Sequence, residues 1–81
     1  MGADMTQEQL AEPDLFFSPE RVKRIRVELG LTQEKFAEQL GVNPDMVRRW
    51  EGGKSKPSKG SVLQALLRAE RRADLTVARE A

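Results

Sequence analysis

Residues 30–59 read GLTQEKFAEQLGVNPDMVRRWEGGKSKPSK. Two glycine-terminated, helix-forming runs stand side by side in this stretch, each with its own start signal. Thr32 caps the first, whose apolar stripe is Phe36, Ala37 and Leu40, and Gly41 stops it. Asn43 caps the second, with Pro44 at the first helical position and Asp45 in the first turn, and Gly52-Gly53 ends it. Helices of about two turns joined by Gly41-Val42 are too closely linked to lie antiparallel, so they cross steeply as a helix-turn-helix. Ala37 falls where the two backbones approach, and Leu40, Val42, Val47 and Trp50 fill the angle between them.

Working outward, Ser18-Pro19-Glu20 opens an earlier helix in the same way. Val22, Ile25 and Leu29 share one face of it and Gly30 stops it. Arg21, Lys23, Arg24 and Arg26 spread over the remainder and read as a solvated surface. Downstream, Lys54-Ser55-Lys56-Pro57 is a basic turn. A fourth helix is predicted from Ser58 or Lys59 to Arg72, burying Val62, Leu63, Leu66 and Leu67, with Arg68, Arg71 and Arg72 expected to pair with Glu70, Asp74 or a partner subunit. Residues 73–81 either extend this helix or form a fifth. No segment alternates with period two, so the expected fold is all-α, a bundle of four to five helices. The chain divides into an acidic arm at 1–17, mobile over most of its length, a helical domain at 18–72 and a C-terminal extension or tail at 73–81. Within the arm, Leu15-Phe16-Phe17 is the segment expected to pin it to the domain.

At 81 residues and 38% apolar content, with four aromatics, the chain holds one small domain whose core gains from dimerisation. It contains no cysteine and no histidine. That removes disulfides, thiolate chemistry and the commonest general base and metal ligand. Carboxylates occur singly on polar faces and no phosphate cradle follows a strand, so no catalytic residue, metal site or cofactor is expected. No apolar run approaches a membrane span or the core of a signal peptide, which points to a soluble cytoplasmic protein. The net charge of +1 hides a segregation. Residues 1–20 carry five acids and no base, whereas residues 21–81 hold all 14 bases against 8 acids, a net +6. A basic domain concentrates polyanions around itself, and nucleic acid is the commonest polyanion in a cell.

The run after Asn43 has two chemically distinct sides. At about 100° per residue, Val47 and Trp50 share one, while Pro44, Asp45, Arg48 and Arg49 cluster on the other. An element entering a DNA major groove needs that arrangement, because base edges are read by paired donors and acceptors. Trp50 lies with Val47 and reads as core. The sequence LTQEKFAEQLGVNPDMVRRWEGGKSKPS resembles the helix-turn-helix of the Xre/Cro/C1 family of phage and bacterial repressors. The marks that carry the likeness are Leu31-Thr32-Gln33, Phe36-Ala37, Leu40-Gly41-Val42, Val47, Trp50-Glu51, Gly53-Lys54 and Pro57, within a match spanning roughly Pro19 to Leu67.

The resemblance implies a lambda-repressor-like domain that binds operator DNA, commonly as a symmetric homodimer. It also implies roles for individual residues. Gln33, Lys54 and Lys56 would contact phosphates; Asn43, Pro44, Asp45, Arg48 and Arg49 would meet base edges; Glu51 would be structural. Pro44-Asp45-Met46 departs from the small polar residues that many members carry there. Asp45 either accepts from a cytosine amino group or braces Arg48 or Arg49 toward guanine. The leading expectation is a sequence-specific transcriptional repressor acting on double-stranded DNA. Two rivals stand beside it: an antitoxin that regulates its own promoter and holds a toxin through the acidic arm, and an interaction module that keeps the fold without reading DNA.

Overall fold

Side-chain oxygens open the first three helices. The structure, a computed structural model, describes residues 14–80. Ser18, Thr32 and Asn43 accept hydrogen bonds from the backbone N–H groups of Arg21, Lys35 and Met46 at 3.0–3.1 Å. They precede α1 (Pro19–Glu28), α2 (Gln33–Leu40) and α3 (Pro44–Glu51). Each cap satisfies a donor that the first helical turn leaves without an intrahelical partner. The acidic residues upstream of Asp14 belong to the part of the arm that lies outside the described residues.

The turn between α2 and α3 is tight because Gly41 has φ +78°, a left-handed conformation that costs other residues a clash at Cβ. There the Val42 N–H donates to the Ala37 carbonyl at 3.0 Å and the Gly41 N–H to the Glu38 carbonyl at 3.3 Å, so two free carbonyls at the end of α2 are satisfied. Chain direction then changes within the space of two residues, and α3 crosses α2 against Ala37, which is fully buried.

The fourth helix, α4 (Gly60–Glu80), is a single helix of 21 residues. It starts a residue or two after the predicted Ser58 or Lys59 and continues well past Arg72, so the open choice for the segment after Arg72 resolves as an extension, with no break as far as Glu80. Neither glycine nor proline occurs between Ser61 and Glu80 to interrupt it. No described helix is long and apolar enough to cross a membrane. The core gathers Val22 and Ile25 from α1, Phe36 and Leu40 from α2, Val47 and Trp50 from α3, and Val62, Leu66, Ala69 and Ala73 from α4. Leu63 and Leu67 are only partly buried against it. Burial of each large side chain contributes about 1.5–3 kcal/mol.

Of Leu15, Phe16 and Phe17, it is Phe17 that enters the core and anchors the arm; Leu15 and Phe16 are 47% and 59% exposed. Arg21 completes this anchor. Its guanidinium lies 3.9 Å over the Phe17 ring, Nη1 donates to the carbonyls of Asp14 and Phe16 at 2.8 Å, and Nε and Nη2 grip Glu70 of α4 at 2.8 and 2.7 Å. Arg24 donates to the same carboxylate at 2.9 Å. Two sequence expectations are thereby corrected. Arg21 and Arg24 are not simply a solvated face, and Glu70 pairs with α1 rather than with its neighbours Arg68, Arg71 or Arg72. One helical turn after Leu66, Glu70 faces α1; Arg72 instead reaches Gln39 of α2 at 3.5 Å.

The Arg21 hydrogen bonds hold the Glu70 carboxyl below the ordinary glutamate range, against an opposing push from burial. The unfolded chain therefore takes up this proton at a higher pH than the folded one does. Glu70 contributes its full stabilisation above the ordinary glutamate pKa and loses it as pH falls through the depressed folded value. Urea melts across the acid range should show this loss in the native protein and a flatter dependence in Glu70→Gln. Identical pH dependence in the two proteins would refute the assignment.

Candidate nucleic-acid interface

α3 is held by one side and presents the other. Val47 and Trp50 are 0% and 2% exposed, sealed against the rest of the core. The opposite side carries Asp45, Arg48 and Arg49, all exposed. Arg49 Nη1 lies 4.0 Å from Asp45 Oδ2, one turn back on the same helix. Arg48 Nη1 lies 3.4 Å from Glu34 Oε2 on α2. The two adjacent arginines are thus steered differently, one along α3 and one across the helix-turn-helix. Asn43 is exposed, but its Oδ1 is engaged in capping, which leaves its amide NH2 as the group to offer. Pro44 is half-buried and has no N–H. Met46, 39% exposed, stands on the flank.

An ion-pair network ties the end of this helix to α1 and α2. Arg26 of α1 donates to Glu51 through Nε at 2.7 Å and Nη2 at 3.1 Å, and its Nη1 donates to the Leu31 carbonyl at 2.9 Å. Gln33 Nε2 donates to the same carboxylate at 3.1 Å. The Glu51 and Arg26 side chains are only 7% and 15% exposed. One carboxylate at the end of α3 is therefore tied to α1, to the α1–α2 turn through Arg26, and to the start of α2. Sequence reasoning placed Arg26 on the solvated surface. That is corrected here: its side chain is only 15% exposed, and the partner is 25 residues away, beyond any local period. Glu51 as the structural member of the Trp50-Glu51 pair was the readable half of this contact. Gln33 spends one of its two side-chain amide N–H donors on Glu51, which leaves the second N–H and its backbone N–H at the start of α2 to offer an anion.

The basic loop follows directly. Gly53, at φ +76°, turns the chain out of α3, and the Lys54 N–H closes the helix on the Arg49 carbonyl at 2.9 Å. With that amide committed, Lys54 offers its side chain, which is exposed. Lys56 is exposed too, with Nζ 6.0 Å from the centre of the Phe16 ring, so this lysine stands beside the end of the arm. Pro57 is buried and anchors the loop before α4.

Residues 22–69, more than half of the chain, match the family model described as helix-turn-helix, of the Xre/Cro/C1 type. The chain belongs to this family. Its members are DNA-binding transcription regulators rather than enzymes. The family match ends at residue 69, so the last turns of α4 lie beyond it. No curated protein matches the chain.

Proposed function

We propose that the protein is a sequence-specific repressor that places α3 in the DNA major groove and occupies an operator as a homodimer. The observation that carries this reading is the two-sidedness of α3, with Val47 and Trp50 sealed inward and Asp45, Arg48 and Arg49 standing outward. In this arrangement Asn43, Pro44, Asp45, Arg48 and Arg49 meet base edges, Arg49 being aimed by Asp45. Gln33 meets a phosphate through its second amide N–H or its backbone N–H, and Lys54 and Lys56 do so through their side chains. Phosphate contacts set the affinity and its salt dependence; base contacts set the sequence preference. The dimer forms through the C-terminal part of α4, where Leu75 and Val77 are 60% and 43% exposed. Two-fold symmetry then places the α3 helices about 34 Å apart, one turn of DNA.

Fluorescence anisotropy with the DNA upstream of the gene and a shuffled duplex, at two salt concentrations, tests the reading. Tight, salt-sensitive binding that prefers the native sequence supports it, and weak binding without preference rejects it. Lys54→Ala is expected to weaken both duplexes alike and to lower the salt slope by about one. An unchanged slope would remove Lys54 from the phosphate-binding set.

The exposed Leu15 and Phe16 favour a second reading, an antitoxin whose arm grips a toxin. A stable complex with the product of a neighbouring gene, lost in Phe16→Asp, would select it over a repressor that acts alone.

A further inference from the structure

A groove of about 740 Å³ opens beside α3; of the proposed base-contacting residues it shares Asn43, while Asp45, Arg48 and Arg49 lie outside its lining. Its apolar lining includes Val42 and Met46 from the helix-turn-helix and Val62 and Ala65 of α4. Lys56, Lys59 and Arg68 stand on its walls, and Glu38 is the acid among its lining. Such a surface suits a chain segment that carries several carboxylates and a few apolar side chains.

The protein itself has such a segment. Residues 1–13, MGADMTQEQLAEP, place Asp4, Glu8 and Glu12 four residues apart, with Met1, Met5 and Leu10 among them and no basic residue. Their point of attachment is beside the groove. Asp14 shares a second cleft with Arg68 and Arg71, and Arg68 lines both concavities. Phe16, two residues further on, stands beside Lys56 of the groove wall. Thirteen extended residues reach about 43 Å, against a longest molecular dimension of 47 Å, so reach is not limiting.

We infer that this groove is the docking surface for the protein's own acidic segment, residues 1–13, and that the docked segment competes with DNA for Lys56. The second half of this inference rests on the proposed DNA binding; the first half does not. The segment's three carboxylates match the groove's three basic side chains in number and opposite sign, and Met5 and Leu10 match the apolar part of its lining. A short tether supplies an effective concentration in the millimolar range, so even a millimolar intrinsic affinity keeps the groove about half covered. The protein thereby carries an internal brake on non-specific binding to polyanions, and an operator that engages the base-reading side overcomes it.

Because the chain has no cysteine, Gln7→Cys in the full-length protein takes a single nitroxide label. Paramagnetic broadening is expected at the amides of Val42, Met46, Ser61 and Ala65, falling away as salt approaches about 1 M, where the Debye length is near 3 Å. It should also vanish when Asp4→Asn, Glu8→Gln and Glu12→Gln are added. Broadening spread evenly over the surface overturns the docking. So does broadening that passes only between labelled and unlabelled molecules in a mixed sample, which would assign the groove to a second copy. These readouts need no DNA, so they stand whether or not the repressor reading holds. For the competition, the triple variant without label should bind a random duplex about two- to tenfold more tightly at low salt, converging with the native protein at high salt. Equal affinities at low salt overturn the competition.

Discussion

Glu51→Ala is expected to cost about 1.5–3 kcal/mol of folding stability, the usual loss when charge-assisted hydrogen bonds in a part-buried pair are removed. The Arg26 guanidinium would keep its bond to the Leu31 carbonyl but lose two charge-assisted hydrogen bonds while remaining largely shielded from water. Gln33 Nε2 would lose its acceptor at the same time. A domain of this size holds a total stability of only about 4–12 kcal/mol, so the variant should unfold at a clearly lower urea concentration. Glu51→Gln keeps the shape and one acceptor oxygen and should fall between the two. A loss below about 1 kcal/mol for Glu51→Ala would mean that the pair is effectively solvated.

The paired replacement Arg26→Met with Glu51→Leu separates stability from presentation. Apolar groups of similar size often restore or exceed the stability of a buried pair, because they carry no desolvation cost. The double variant should therefore refold much of what Glu51→Ala loses. It would still lack the link that runs from α1 through Glu51 to Gln33, and α3 would be held by packing alone. If that link sets the angle of α3, the double variant binds operator less well than the native protein despite its stability. Native affinity in a well-folded double variant would assign the network to stability only.

The sequence announces this fold where local chemistry decides the outcome. Ser18, Thr32 and Asn43 each declare a helix start, because a short polar side chain before a helix-forming run has a donor waiting for it. Gly41 and Gly53 declare ends in the same way, through a backbone conformation that few other residues tolerate. The inward side of α3 is legible because Val47 and Trp50 fall at helical spacing with polar residues opposite. Long-range electrostatics is where legibility stops. Arg21 with Glu70 and Arg26 with Glu51 are 49 and 25 residues apart, and an arginine on a helix flank looks the same in sequence whether its head meets water or a carboxylate from another helix. The length of α4 is a related case. Apolar spacing weakens after Leu67, yet Ala69 and Ala73 continue the buried stripe, and alanine carries little periodic signal because it fits either side of a helix.

Arg49→Ala should weaken operator binding by about 1–3 kcal/mol, roughly 5- to 150-fold, while changing folding stability by less than about 0.5 kcal/mol, as an exposed substitution usually does. The loss should fall on the operator and largely spare random DNA, and preference should relax at a single base pair in a substitution series. Arg49→Lys should not rescue it, because an ammonium cannot present the paired donors that match a guanine edge. Equal losses on operator and random DNA would instead make Arg49 a phosphate contact. Asp45 is the acid placed to aim this arginine. Its carboxylate lies 4.0 Å from Arg49 Nη1, and both side chains are more than half exposed, so the pair adds little to stability. If Asp45 acts by bracing Arg49, then Asp45→Ala and Arg49→Ala remove the same contact, and the double substitution costs little more than Arg49→Ala alone. If Asp45 reads a cytosine amino group independently, the two losses add and preference relaxes at two positions.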